Sequence, residues 1–141
     1  MKYEIKRDTT EIDWSQVNQL LKNFGLVNEL PEKTKAAFEH SQEVVFLLED
    51  EQIIGCGRAL SDYVSQAAIY NIAIATEYQS MGLGTLVVET LVEAVKDCNI
   101  TLYTHPDTIK WYKKLGFEQM KSGMAIFHLS HREELYQMGF F

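Results

Sequence analysis

Cysteine is scarce in this sequence: Cys56 and Cys98 are the only two, they lack CxxC spacing, and both stand in apolar surroundings. That excludes a disulfide framework and a thiol redox motif and reads as two buried thiols. Basic residues are the minority, with 13 Lys and Arg against 20 Asp and Glu and a net charge of −7, which opposes DNA or RNA as a partner and favours a cationic or neutral one. No apolar run approaches the roughly 20 residues of a membrane span. The opening MKYEIKRDTTEIDW has neither the apolar stretch nor the cleavage site of a secretory signal, so a cytoplasmic location is expected. His128 and His131 have no third residue at zinc spacing, and no metal is expected. Repeats and low-complexity stretches are absent.

What is present fits one ordinary domain over residues 1–141, with 46% hydrophobic and 23% charged residues. A chain of this length buries roughly 70% of its unfolded surface without staples. Residues 2–7 alternate as a strand. Asp13 suits the cap of a helix carrying Trp14, Val17, Leu20, Leu21 and Phe24, which Gly25 closes. Pro31 opens a second helix through His40. Val44–Leu48 and Ile53–Leu60 read as a hairpin, and Ala67–Ala75 as a central strand. Helical spacing runs from Leu83 to Val95. Ile100–Thr104 is expected as a strand, Ile109–Leu115 as a short helix stopped by Gly116, and Phe117–Met120 and Met124–Leu129 as two final strands. The expected order is βααβββαβαββ, a mixed α/β arrangement of about seven strands flanked by helices.

Chemistry concentrates after the central strand, in Gln79-Ser80-Met81-Gly82-Leu83-Gly84-Thr85. Glycine lets a phosphate approach the backbone, and the first N–H groups of a helix lack internal partners and lie at the positive end of its dipole. Gln79 to Thr85 can therefore cradle a pyrophosphate; the alternative is that Gly82 and Gly84 serve only a tight turn. A dinucleotide fingerprint would need a third glycine at Val87, and the Walker pattern is missing.

Gln79-x-x-Gly82-x-Gly84 after an apolar strand resembles the Q/R-x-x-G-x-G/A signature of the GNAT superfamily of acyl-coenzyme A-dependent acyltransferases. About 30 residues on, Trp111-Tyr112-Lys113-Lys114-Leu115-Gly116-Phe117 resembles its FYxKLGF segment. Gly57-Arg58-Ala59-Leu60-Ser61-Asp62 is similar to a GRAxSD element of a bacterial branch that includes arylalkylamine acetyltransferases. The resemblance covers about Val44 to Leu129. It implies a strongly bent sheet, splayed between the strands at 67–75 and 100–104, with the pantetheine arm of acetyl-coenzyme A between them. The backbone of Ile72, Ala73 and Ile74 would pair with the pantetheine amides. The amides of Ser80, Met81, Gly82, Leu83, Gly84 and Thr85 would hold the pyrophosphate, with Gln79 holding the loop or reaching a phosphate. Tyr112 matches the family tyrosine that gives a proton or hydrogen bond to the departing sulfur.

The expected reaction is direct acetyl transfer to a primary amine of a small molecule. A protein or peptide amine is the alternative acceptor, and a non-catalytic coenzyme A sensor is the alternative class. Asp62 is the residue expected to deprotonate the amine, its other reading being a solvated turn aspartate. Asn71 and Arg58 either line the acceptor pocket or bond within the sheet. Tyr136, Phe140 and Phe141 near the end of the chain make a homodimer a further expectation.

Overall fold

The computed structural model describes residues 2–141. The chain forms two compact units, one up to Leu102 and one from Tyr103 to Phe141.

In the first unit, β1 (Glu4–Lys6) precedes α1 (Trp14–Asn23) and α2 (Pro31–Glu39). The Asp13 carboxylate accepts the Gln16 N–H at 3.2 Å, capping α1 as expected of a short polar side chain at a helix start. At the other end Gly25 takes φ +67°, and the Leu26 N–H returns to the Leu21 carbonyl. Buried Asn18 donates to the Glu29 carbonyl at 3.1 Å and to Thr34 Oγ1 at 2.8 Å, tying α1 to the loop after it and to α2.

β2 (Glu43–Glu49) and β3 (Gln52–Ser61) form the expected hairpin, turning at Asp50 and Glu51, both with positive φ. β4 (Gln66–Ile74) continues antiparallel, α3 (Leu83–Ala94) crosses over, and β5 (Asn99–Thr101) returns parallel to β4. The sheet order is β1-β2-β3-β4-β5. Alternation along β2 sends Val44, Phe46 and Leu48 to the core shared with Val17, Leu20, Leu21 and Phe38, where Trp14, Phe38 and Phe46 stack with centroids 5.3–5.8 Å apart. The opposite face of β3 meets Val87 and Leu91 of α3 at Gly57.

The second unit holds α4 (Ile109–Lys114), ended by Gly116 at φ +100°, and α5 (Arg132–Gln137), which supplies the last helical turn after His131. Two expectations are corrected here. Phe117–Met120 and Met124–Leu129 are not strands, so the sheet has five strands and not about seven, and the order ends βαα and not βαββ. The second segment is apolar in composition, but its Met124, Ile126 and Leu129 are 97%, 84% and 93% exposed. A strand exists only against another strand, and this unit contains none among the described residues. The strand expected at Ile100–Thr104 is likewise confined to Asn99–Thr101.

Candidate donor and acceptor site

β5 pairs with β4 along its whole length, Asn99–Thr101 against Gln66–Ala68, and β4 runs on past the last of these pairs. β4 is irregular just past that point. Between the pairs Cys56↔Ala73 and Arg58↔Tyr70, β3 advances two residues and β4 three, so Asn71 and Ile72 together face Gly57 as a β-bulge. Asn71 has φ +60°, a left-handed conformation that asparagine tolerates better than most residues. Ile72 is half-buried, and Ala73 and Ile74 are buried.

After Ile74 a short 3₁₀ turn at Thr76–Tyr78 leads to α3, and three bonds fix this connection. The Ala75 N–H donates to the Ile54 carbonyl at 2.8 Å, the Tyr78 hydroxyl to Glu49 Oε1 at 2.7 Å, and the Gln79 side-chain amide to the Ile74 carbonyl at 3.0 Å. Gln79 thus bonds within its own loop. Ser80 (φ +67°) and Gly82 (φ +79°) then turn the chain so that Gly82 caps α3 without a side-chain bond. The first intrahelical bond is from the Leu86 N–H to the Gly82 carbonyl, leaving the amides of Leu83, Gly84 and Thr85 at the helix start. No acidic side chain occupies that first turn, and beyond its chain neighbours and the helix's own backbone nothing lies within 4 Å of the point where a Gly82 Cβ would sit. Ser80, Met81 and Gly82 are exposed, so an anion can reach a positive helix end without displacing side chains.

Arg58 and Asn71, both half-buried, are brought together: Arg58 Nε donates to Asn71 Oδ1 at 2.6 Å. Arg58 Nη1 also donates to Ser41 Oγ at 3.2 Å, and the guanidinium lies 5.8 Å from the Phe38 ring centre and 5.2 Å from that of Tyr70. Of the two expectations for these residues, bonding within the sheet is the one for which the structure supplies partners. The sequence marks both residues but not their contact, because a bulge is a matter of register between strands.

Asp62 lies in the exposed β3–β4 turn. Its Oδ1 accepts the N–H groups of Val64 and Ser65 at 2.8 Å and of Gln66 at 3.1 Å, and its Oδ2 accepts the Ser65 hydroxyl at 3.0 Å. These backbone donors hold the carboxyl well below its usual range. Such surroundings fit the turn reading, since a base this weak gains little from taking a proton.

In the second unit, half-buried Tyr112 stands between Trp111 and Phe117, with ring centroids 4.8 and 5.6 Å away in edge-on geometry. Burial pushes its phenol up to about 12, against a smaller downward effect of a hydrogen bond with Thr104. It is therefore fully protonated at neutral pH and available as a donor.

An open pocket of about 430 Å³ is lined by Asn28, Glu29, Leu30, Glu32 and Lys33. It includes none of the donor-side residues and lies in the Leu26–His40 stretch, for which the sequence offered no assignment of substrate.

The chain is similar to known proteins. Residues 7–117 match the acetyltransferase (GNAT) family. The chain is 31% identical over 124 residues to the uncharacterised N-acetyltransferase ycf52 of Porphyra purpurea, covering 83% of this chain and 71% of that protein. It is 32% identical to the chloroplastic serotonin N-acetyltransferase 2 of rice (82% of this chain, 61% of the relative) and 29% identical to the histone acetyltransferase TAP1 of soybean (86% and 54%). A crystal structure of a Staphylococcus aureus protein of unknown function shares the fold, with a TM-score of 0.79 at 20% identity over 92% of this chain and 100% of that one.

Proposed function

The chain belongs to the acetyltransferase (GNAT) family and is an acyl-coenzyme A-dependent acetyltransferase, and from that premise we propose that it moves the acetyl group of acetyl-coenzyme A directly to a primary amine of a small molecule. The observation that carries the donor side is the start of α3, where exposed Gly82 precedes three amides outside the helix ladder and no carboxylate competes. The pyrophosphate is assigned to the amides of Ser80 to Thr85, and the pantetheine amides to the backbone of Ile72, Ala73 and Ile74, beyond the last β4 residue that pairs with β5. Residues 1–141 are assigned to one catalytic domain, since the family match runs from residue 7 to residue 117 without regard to the division at Leu102.

In this reading a neutral amine attacks the thioester carbonyl, a tetrahedral oxyanion forms, and it collapses with loss of the coenzyme A thiolate, which takes a proton. Tyr112 is assigned to that sulfur. Its phenol, held protonated, stabilises the leaving charge by donating a hydrogen bond as the charge appears. An alkylamine with pKa near 10 is over 99% charged at pH 7, so a proton must first leave it. Water is assigned to that step because Asp62 is engaged by its own turn.

For the acceptor, the reading is an arylalkylamine-type amine in the branch suggested by Gly57–Asp62. It is supported by the identity to a relative named for serotonin and by the pocket that sets Leu30, 65% exposed, beside Glu29 and Glu32. An acidic chain attracts such a cation. A protein acceptor is the second reading, favoured by the soybean relative named as a histone acetyltransferase. No helix among the described residues is long and apolar enough to cross a membrane. The cytoplasm is the proposed compartment, and the chloroplast the alternative that the rice relative's name carries. A homodimer is also proposed, because Tyr136 and Phe141 stack at 4.9 Å yet stay about half exposed.

The test is calorimetric titration with acetyl-coenzyme A, then thiol release against arylalkylamines, polyamines, amino sugars and a histone-tail peptide. Binding with release for an arylalkylamine supports the whole reading. Release with the peptide alone shifts it to a protein acceptor, and the absence of donor binding would sink it.

A further inference from the structure

Three consecutive residues of β3 meet the bulge of β4, each with a different chemistry. Cys56 is fully buried and its Sγ donates to the main-chain carbonyl of Asn71 at 3.5 Å; burial raises the thiol to about 12, so the donor proton is retained at any physiological pH. Gly57 leaves room for the bulge: a Cβ there would lie 2.6 Å from Ile72 Cδ1 and 2.7 Å from Val87 Cγ1. Arg58 donates from Nε to the Asn71 side chain at 2.6 Å and is itself anchored by Ser41 and by the Phe38 and Tyr70 rings.

We propose that Cys56, Gly57 and Arg58 act as a positioning clamp that holds Asn71 in its left-handed conformation and so sets which backbone groups of Ile72–Ile74 face the donor. This rests on the donor reading above. In a strand, successive N–H and C=O groups point to alternate sides, so one inserted residue moves every later group to the opposite edge. If Asn71 relaxed to an extended conformation the bulge would migrate, and the Ile72–Ile74 groups aimed at pantetheine would turn toward the other edge. An asparagine at φ +60° is only mildly disfavoured, so a short bond from a guanidinium, stronger than one between neutral groups, is enough to hold it. In this role Arg58 and Asn71 need touch neither reactant. They act through the strand between them.

The experiment measures binding of two ligands to the full chain: acetyl-coenzyme A, which has a pantetheine arm, and ADP, which presents a pyrophosphate without one. Arg58→Met removes the donor and keeps the stem between the rings. Asn71→Ala removes the acceptor and disfavours the left-handed backbone, which serves if Arg58→Met folds poorly. Asn71→Asp restores the acceptor oxygen. Both deletions should weaken acetyl-coenzyme A about tenfold and leave ADP within about twofold of the wild type. The double variant should be no worse than either single one, and Asn71→Asp should bind within about twofold of the wild type. Equal weakening of both ligands, or a lowered Tm with an unchanged ratio of the two affinities, would overturn the clamp while leaving the donor reading intact. A wild-type chain that binds neither ligand would overturn both.

Discussion

Substituting Gly82 with glutamate separates two effects that the geometry makes independent. Gly82 stands at φ +79° with nothing within 4 Å of the point a Cβ would occupy, so a side chain meets backbone strain and no clash. The left-handed conformation costs an L-residue about 1–2 kcal/mol, or about 3–8 °C of Tm at this chain length. Gly82→Ala isolates that cost. Glutamate adds a negative charge about 5 Å from a pyrophosphate seated on the amides of α3. Each like-charge pair at that distance repels by about 1–3 kcal/mol for effective dielectric constants from water to a protein surface. A hundredfold loss of affinity follows from the middle to upper part of that range. At a ligand concentration of 100 times the wild-type Kd, stabilisation of about 2.7 kcal/mol falls to about 0.4 kcal/mol. In a thermal-shift assay at low ionic strength, acetyl-coenzyme A should raise the wild-type Tm by roughly 10 °C, the alanine variant by nearly as much, and the glutamate variant by only about 1–2 °C. A glutamate variant that keeps the wild-type shift would refute the placement of the pyrophosphate.

Three further outcomes are expected. Tyr112→Phe should lower kcat by about 10²- to 10⁴-fold in a thiol-release assay with little change in KM for acetyl-coenzyme A, and unchanged turnover would remove the residue from the mechanism. Gly57→Ala should cost about 1–3 kcal/mol in urea unfolding, because its methyl meets Ile72 and Val87 within 2.7 Å, and a neutral result would mean that α3 and the sheet yield easily. Cys56 and Tyr112 both have folded pKa values raised, to about 12 from 9.0 and 10.0, so their protonated forms are favoured in the fold. Their stabilisation is complete below pH 9 and lost as pH rises toward 12, at about 1.4 kcal/mol per pH unit for each group. Urea midpoints should therefore decline between pH 9 and 11, and Cys56→Ala should flatten the decline.

The helices and strands of the first 95 residues were legible because their signals are local. Asp13 and Gly25 bound α1 by caps that need only their own helix, Asp50 and Glu51 turn a hairpin, and Gly82 opens α3 at the residue where spacing places it. Met124 to Leu129 shows the limit: an apolar run suits a strand, but a strand also needs a neighbour, and that is not written in the segment itself. The same limit hid the bulge. Asn71 reads as a costly polar residue in an apolar strand, yet its conformation depends on β3 advancing two residues against its three. Asp62 was legible as a turn former, whereas its basicity depends on how many N–H groups converge on it.

The missing Cβ at Gly57 has an effect on the way a donor would be met. Where Val87 and Leu91 of α3 press against β3 and Ile72 presses from β4, the helix that begins at Gly82 and the strand that ends at Ile74 are seated on the same spot. A ligand gripped at one end by that helix and along its length by that strand would encounter a frame already assembled. Little ordering entropy would then be spent on these two elements when a donor binds.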